Sequence, residues 1–90
     1  MLKQAHVYIE GYVILVGFRA WTKYQADKYG IKGWVKNSGN RVEALIQADL
    51  EVLEAFIEKL KAGAPASQVD KVVVTWQPLD EIYEKGFSLL

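Results

Sequence analysis

The sequence predicts an α+β domain with two helices on one face of an antiparallel sheet. Three observations carry that prediction. The apolar period switches between two and about 3.6 residues along the chain, marking strands and helices in the order β-α-β-β-α-β. A turn too short for a crossover joins the second and third strands, so they must pair antiparallel. Glycines stand just beyond both helical stretches, where helices stop.

The elements follow in order. Ala5 to Glu10 alternates strictly, with Ala5, Val7 and Ile9 on one face and His6, Tyr8 and Glu10 on the other, which predicts a half-buried strand. From Phe18 to Tyr29 the apolar residues recur at helical spacing, and Gly30 is the stop. A short second strand lies within Ile31–Asn37, Ser38-Gly39-Asn40 is a tight turn, and Arg41 to Ala48 is a third strand facing inward with Val42, Ala44 and Ile46. Asp49 is placed to cap a second helix whose Leu50, Leu53, Phe56, Ile57 and Leu60 form one apolar stripe. Lys59 and Lys61 suit the negative end of that helix, and Gly63 ends it. After the loop Ala64–Ser67, Val69 to Gln77 is rich in β-branched residues and reads as a fourth strand, with Val72, Val74 and Trp76 on one face. Leu79 to Lys85 is a polar connection, and Gly86 to Leu90 is a short extra C-terminal strand. This order is that of the ferredoxin-like βαββαβ sandwich, a fold that hosts many unrelated sites and so does not name a function.

Composition narrows the function classes. Ninety residues, 51% hydrophobic and 24% charged, make one globular domain spanning residues 1–90. Cysteine is absent, which removes disulfides and thiolate metal sites and is compatible with a cytoplasmic location. Eleven basic residues balance eleven acidic ones, so no global field draws nucleic acid or an anionic membrane. The third strand also lacks the aromatic-and-basic pattern of RNA-recognition sheets. Glu10 interrupts the apolar N-terminal stretch, so neither a signal peptide nor a membrane span is expected. His6 reads as a surface histidine, Trp21, Trp34 and Trp76 as packing residues, and Glu51, Glu54 and Glu58 as the solvated face of their helix.

The chemistry concentrates in Gly11-Tyr12-Val13-Ile14-Leu15-Val16-Gly17-Phe18-Arg19. A strand ends there, an apolar loop follows, and a helix opens on Phe18-Arg19. The first N–H groups of a helix have no intrahelical partner, and the macrodipole adds positive charge at the same end, so the place suits an anion. Arginine in that turn opposes the dipole, which favours a functional reason for Arg19 over a solvated one.

This segment resembles the acylphosphatase signature G-x-V-Q-G-V-x-F-R, and Gly33-Trp34-Val35-Lys36-Asn37 resembles the second signature, G-[WY]-[VA]-x-N. Val42-Glu43, Gly63–Val69 and Gly86-Phe87 also fit, so the resemblance spans nearly the whole chain. It implies hydrolysis of acyl phosphates to carboxylate and inorganic phosphate without metal or cofactor. It implies that Arg19 and the backbone amides of Leu15, Val16, Gly17 and Phe18 hold the phosphoryl group while Asn37 orients the attacking water. Arginine offers a fixed fork of donors matched to phosphate oxygens. Two departures stand out: Ile14-Leu15 replaces Gln-Gly, and the hairpin after Asn37 is one residue shorter than the common pattern. If position 15 needs a positive φ, leucine costs roughly 1–2 kcal/mol there, or the loop takes another path. Two lost cradle donors would slow the reaction by about four orders of magnitude. The alternative reading is thus a catalytically impaired anion-binding or protein-interaction module on the same fold. A relative of the acylphosphatase-like domain of hydrogenase-maturation carbamoyltransferases is a further variant. The chain is expected to be a monomer, with the apolar run Val13–Val16 as a surface on which self-association can rest.

Overall fold

The computed structural model describes all 90 residues. In chain order they form β1 (Leu2–Tyr12), α1 (Phe18–Tyr29), β2 (Lys32–Ser38), β3 (Arg41–Asp49), α2 (Leu50–Ala62), β4 (Gln68–Gln77) and β5 (Phe87–Leu89). The first strand is longer than its alternation indicates because it is central. It pairs antiparallel with β3 from Leu2↔Asp49 to Ile9↔Val42 and with β4 from Gln4↔Gln77 to Tyr12↔Gln68. The sheet order is β4-β1-β3-β2-β5. Its first four strands are antiparallel, as predicted for the ferredoxin-like sandwich. The C-terminal strand instead adds parallel to β2, which makes the five-stranded sheet mixed.

That parallel addition follows from the path of residues 78–86, which run from the β4 edge to the opposite edge. Gln47, only 4% exposed, secures this crossing. Its amide donates to the Gln4 side-chain oxygen at 2.7 Å and to the Glu81 carbonyl at 2.9 Å, and its Oε1 accepts the Tyr83 N–H at 2.8 Å. A buried amide thereby meets its needs from the strap itself.

Both helices pack on one sheet face. Phe18, Thr22 and Ala26 of α1 and Leu53, Phe56, Ile57 and Leu60 of α2 are buried with the inward residues Val7, Ile9, Val35, Val42, Ala44 and Ile46. Fully burying such an apolar side chain contributes roughly 1.5–3 kcal/mol, so this face organises the fold. Gly30 adopts the left-handed torsion (φ 70°) that ends α1, and the Gly63 N–H bonds the Lys59 carbonyl at 3.1 Å to end α2.

Three local expectations change. Asp49 occupies the N-cap position of α2, yet its side chain caps nothing. Its carboxylate lies 3.1 Å from the Met1 ammonium, a stronger partner than a backbone amide. His6 is on the open sheet face as predicted but is half-buried, because its Nε2 lies 2.6 Å from Glu43 Oε2 and its ring meets Tyr8 edge-on. Trp21 packs on the core through Phe18, whereas Trp76, at the end of the edge strand, is 47% exposed.

Candidate active site

Two glycines set the strand geometry beneath the site. At Gly11 the β1–β4 register shifts by a bulge, and a Cβ there would lie 2.2 Å from the Gln68 carbonyl oxygen. At Gly33 a Cβ would lie 1.8 Å from the Leu45 carbonyl oxygen. Both glycines therefore permit close backbone approach.

The loop between β1 and α1 is pinned at both ends by core residues, Val13 at 2% exposure and Phe18 at 1%. Ile14 and Val16 turn inward and pack against the core, and Leu15 is left 97% exposed at the apex. The apolar run thus divides into loop packing and one protruding side chain. Leu15 has φ 64°, the only positive φ at a non-glycine residue. The loop keeps the left-handed turn at this position, and leucine carries its steric cost of about 1–2 kcal/mol.

None of the amides from Val13 to Gly17 makes a backbone hydrogen bond. Gly17, at φ 76° and ψ 16°, is the N-cap of α1, and its carbonyl accepts the Trp21 N–H at 3.0 Å. No side chain caps this end, and no acidic residue lies in the first turn. The first-turn N–H groups thus face outward without a partner, the condition that favours an anion.

Beside these donors is a cavity of about 140 Å³ lined by Val13, Leu15, Gly17, Phe18, Arg19, Ala20, Asn37 and Leu89. No carboxylate side chain lines it. Arg19 reaches it from the first turn of α1 and Asn37 from the end of β2, which the Asn37↔Val42 pairing fixes in register. The Arg19 guanidinium donates through one nitrogen to the Leu90 main-chain oxygen at 2.7 Å, a contact that orients it. The Asn37 side chain is exposed and bonds to no other protein group. Sequence reasoning missed Leu89 and Leu90. They reach the site only because β5 adds to the β2 edge, where the Leu90 N–H bonds the Val35 carbonyl at 2.9 Å.

The acylphosphatase family profile matches residues 5–89. The chain belongs to the acylphosphatase family. An acylphosphatase from Pyrobaculum islandicum is 40% identical over 76 residues, covering 82% of this chain and 80% of the relative. The crystal structure of the Bacillus subtilis acylphosphatase superimposes with a TM-score of 0.91 at 37% identity, over 100% of this chain and 99% of that one. Full-length HypF, in a phosphate- and nucleotide-bound form, matches with a TM-score of 0.88 at 28% identity, over 100% of this chain and 12% of HypF. Family and fold together give an acylphosphatase, with acyl-phosphate hydrolysis as the reaction class. No helix is long and apolar enough to cross a membrane.

Proposed function

We propose that the cavity between Arg19 and Asn37 is where this acylphosphatase binds and hydrolyses acyl phosphates. The observation that carries the reading is the convergence of unpartnered loop and helix-start amides, one arginine and one free asparagine on a cavity lined by no Asp or Glu side chain. The amides of Leu15, Val16, Gly17 and Phe18, with Arg19, bind the phosphoryl oxygens. Asn37 accepts a hydrogen bond from water and directs it at phosphorus. The water oxygen forms the new P–O bond, and the bond to the acyl oxygen breaks, with its electron pair leaving on the carboxylate. The water proton passes to solvent or to the phosphate product. A carboxylate leaves readily, so positioning and charge stabilisation suffice and no strong base is required.

The replacement of Gln-Gly by Ile14-Leu15 weakens this machinery in our reading. Ile14 is packed inward and offers no polar group to the phosphoryl oxygens, while the left-handed torsion at Leu15 is retained. One missing donor costs about 10²-fold in rate. Phosphate binding without turnover is a second reading, favoured by the same apolar loop.

Benzoyl phosphate hydrolysis tests the proposal, measured with and without EDTA for the native chain, Arg19→Ala, Asn37→Ala and the double change Ile14→Gln/Leu15→Gly. Activity that survives EDTA, falls in both single variants and rises in the double variant is expected. Activity untouched by Arg19→Ala removes the cavity from the reaction. A double variant that gains nothing shows that the loop is not what limits the rate.

A further inference from the structure

We propose that Leu15 and Leu89 form an apolar rim that selects acyl phosphates with apolar acyl groups, an inference that rests on the phosphoryl site described above. With the phosphoryl group on the loop amides and Arg19, and water delivered from Asn37, the acyl half must leave along the remaining walls. Those walls are apolar. Val13 and Phe18 are buried and make the floor, while Leu15 at 97% and Leu89 at 45% exposure stand at the mouth. The cavity, about 140 Å³, is on the order of five water volumes. It has room for a phosphoryl group and a water, so an aromatic or branched acyl group rests outside, against the two leucines.

Two further features point the same way. Leu15 combines a left-handed torsion with nearly complete exposure, so in the free protein its side chain adds strain and buries almost nothing. Strained residues of this kind cluster at ligand clamps. The lining also contains no lysine and no carboxylate side chain, so with Arg19 engaged by the phosphoryl group and Asn37 by water, a second charge on the acyl half would meet the leucines and lose hydration. Leu89 reaches the rim because it follows Phe87 on the helix-covered side of β5, pairing with Val35. An apolar acyl group would bury area on both leucines, and discrimination follows the area removed from water.

Binding avoids any dependence on turnover. Inorganic phosphate, acetylphosphonate and benzoylphosphonate are titrated by NMR into the native chain, Leu15→Asn, Leu89→Ser and Arg19→Ala. Asparagine tolerates the left-handed torsion, and Leu89 lies outside the phosphoryl cradle. The native chain is expected to bind benzoylphosphonate about tenfold more tightly than acetylphosphonate, as burial of roughly half a leucine side chain predicts. Either rim variant brings that ratio below about threefold, and Leu89→Ser leaves inorganic phosphate affinity unchanged. Phosphate binding that depends on Arg19, accompanied by equal phosphonate affinities or by ratios unmoved in both rim variants, overturns the rim while sparing the site. Absence of phosphate binding overturns the site, and the rim with it.

Discussion

Replacing Leu15 by glycine is expected to stabilise the protein. The left-handed torsion at φ 64° costs a leucine roughly 1–2 kcal/mol. The side chain is 97% exposed, so its removal forfeits little packing. Glycine relieves the torsional cost but gains freedom in the unfolded chain, which subtracts about 0.4–1 kcal/mol. The net gain is about 0.5–1 kcal/mol, and a domain of this size shifts by about 4–8 °C per kcal/mol, so Tm rises by about 2–8 °C. Leu15→Ala separates the two contributions, because alanine keeps the Cβ that makes the torsion costly while removing the exposed atoms. It is expected to lie within about 0.5 kcal/mol of the native chain. Urea and thermal unfolding followed by circular dichroism measure all three proteins. If glycine and alanine destabilise equally, the leucine side chain is packed in solution and the strain reasoning fails.

Other substitutions probe the scaffold and the site separately. Gly33→Ala forces a Cβ to within 1.8 Å of the Leu45 carbonyl oxygen; a loss of about 3 kcal/mol or more is expected from urea unfolding, and a loss under about 1 kcal/mol would show that β2 and β3 separate easily. Gln47→Leu deprives the Tyr83 N–H and the Glu81 carbonyl of their partner; we expect a cost of about 2–4 kcal/mol and faster amide exchange at Tyr83, and unchanged exchange there would mean that the strap is held elsewhere. Arg19→Lys retains the charge but not the planar fork, so it is expected to hydrolyse benzoyl phosphate at less than about a tenth of the native rate, with unfolding unaffected. Equal rates for arginine and lysine would reduce the side chain's role to charge alone.

The fold was legible because its determinants are local. Alternation at Ala5–Glu10, the stripe Leu50–Leu60 and the stops at Gly30 and Gly63 each act within a few residues, and the elements formed there, although β1 extends over Leu2–Tyr12 and Leu50 is left 39% exposed. What depended on distant pairing was harder to read. Asp49 has the composition of a cap, but an ammonium 48 positions earlier lies within ion-pair distance because β1 and β3 pair in register from their ends. The parallel docking of β5 likewise has no local signature, and it is this docking that brings Leu89 to the cavity and the Leu90 main-chain oxygen to Arg19.

The site divides along the same line. Arg19 and Asn37 are singled out by the resemblance to the two acylphosphatase signatures, and a fixed cationic fork and a neutral donor–acceptor suit the phosphoryl group and water of the proposed reaction. Ile14-Leu15 was ambiguous in the sequence because two apolar residues in a loop satisfy both packing and exposure. Backbone direction resolves the pair: Ile14 turns inward against the core, and the left-handed torsion carries Leu15 outward to the mouth of the cavity. A residue type adapted to burial, held by strain in water beside the proposed phosphoryl site, contributes to stability only when something apolar covers it. In the proposed rim, the acyl group of the substrate is what covers it.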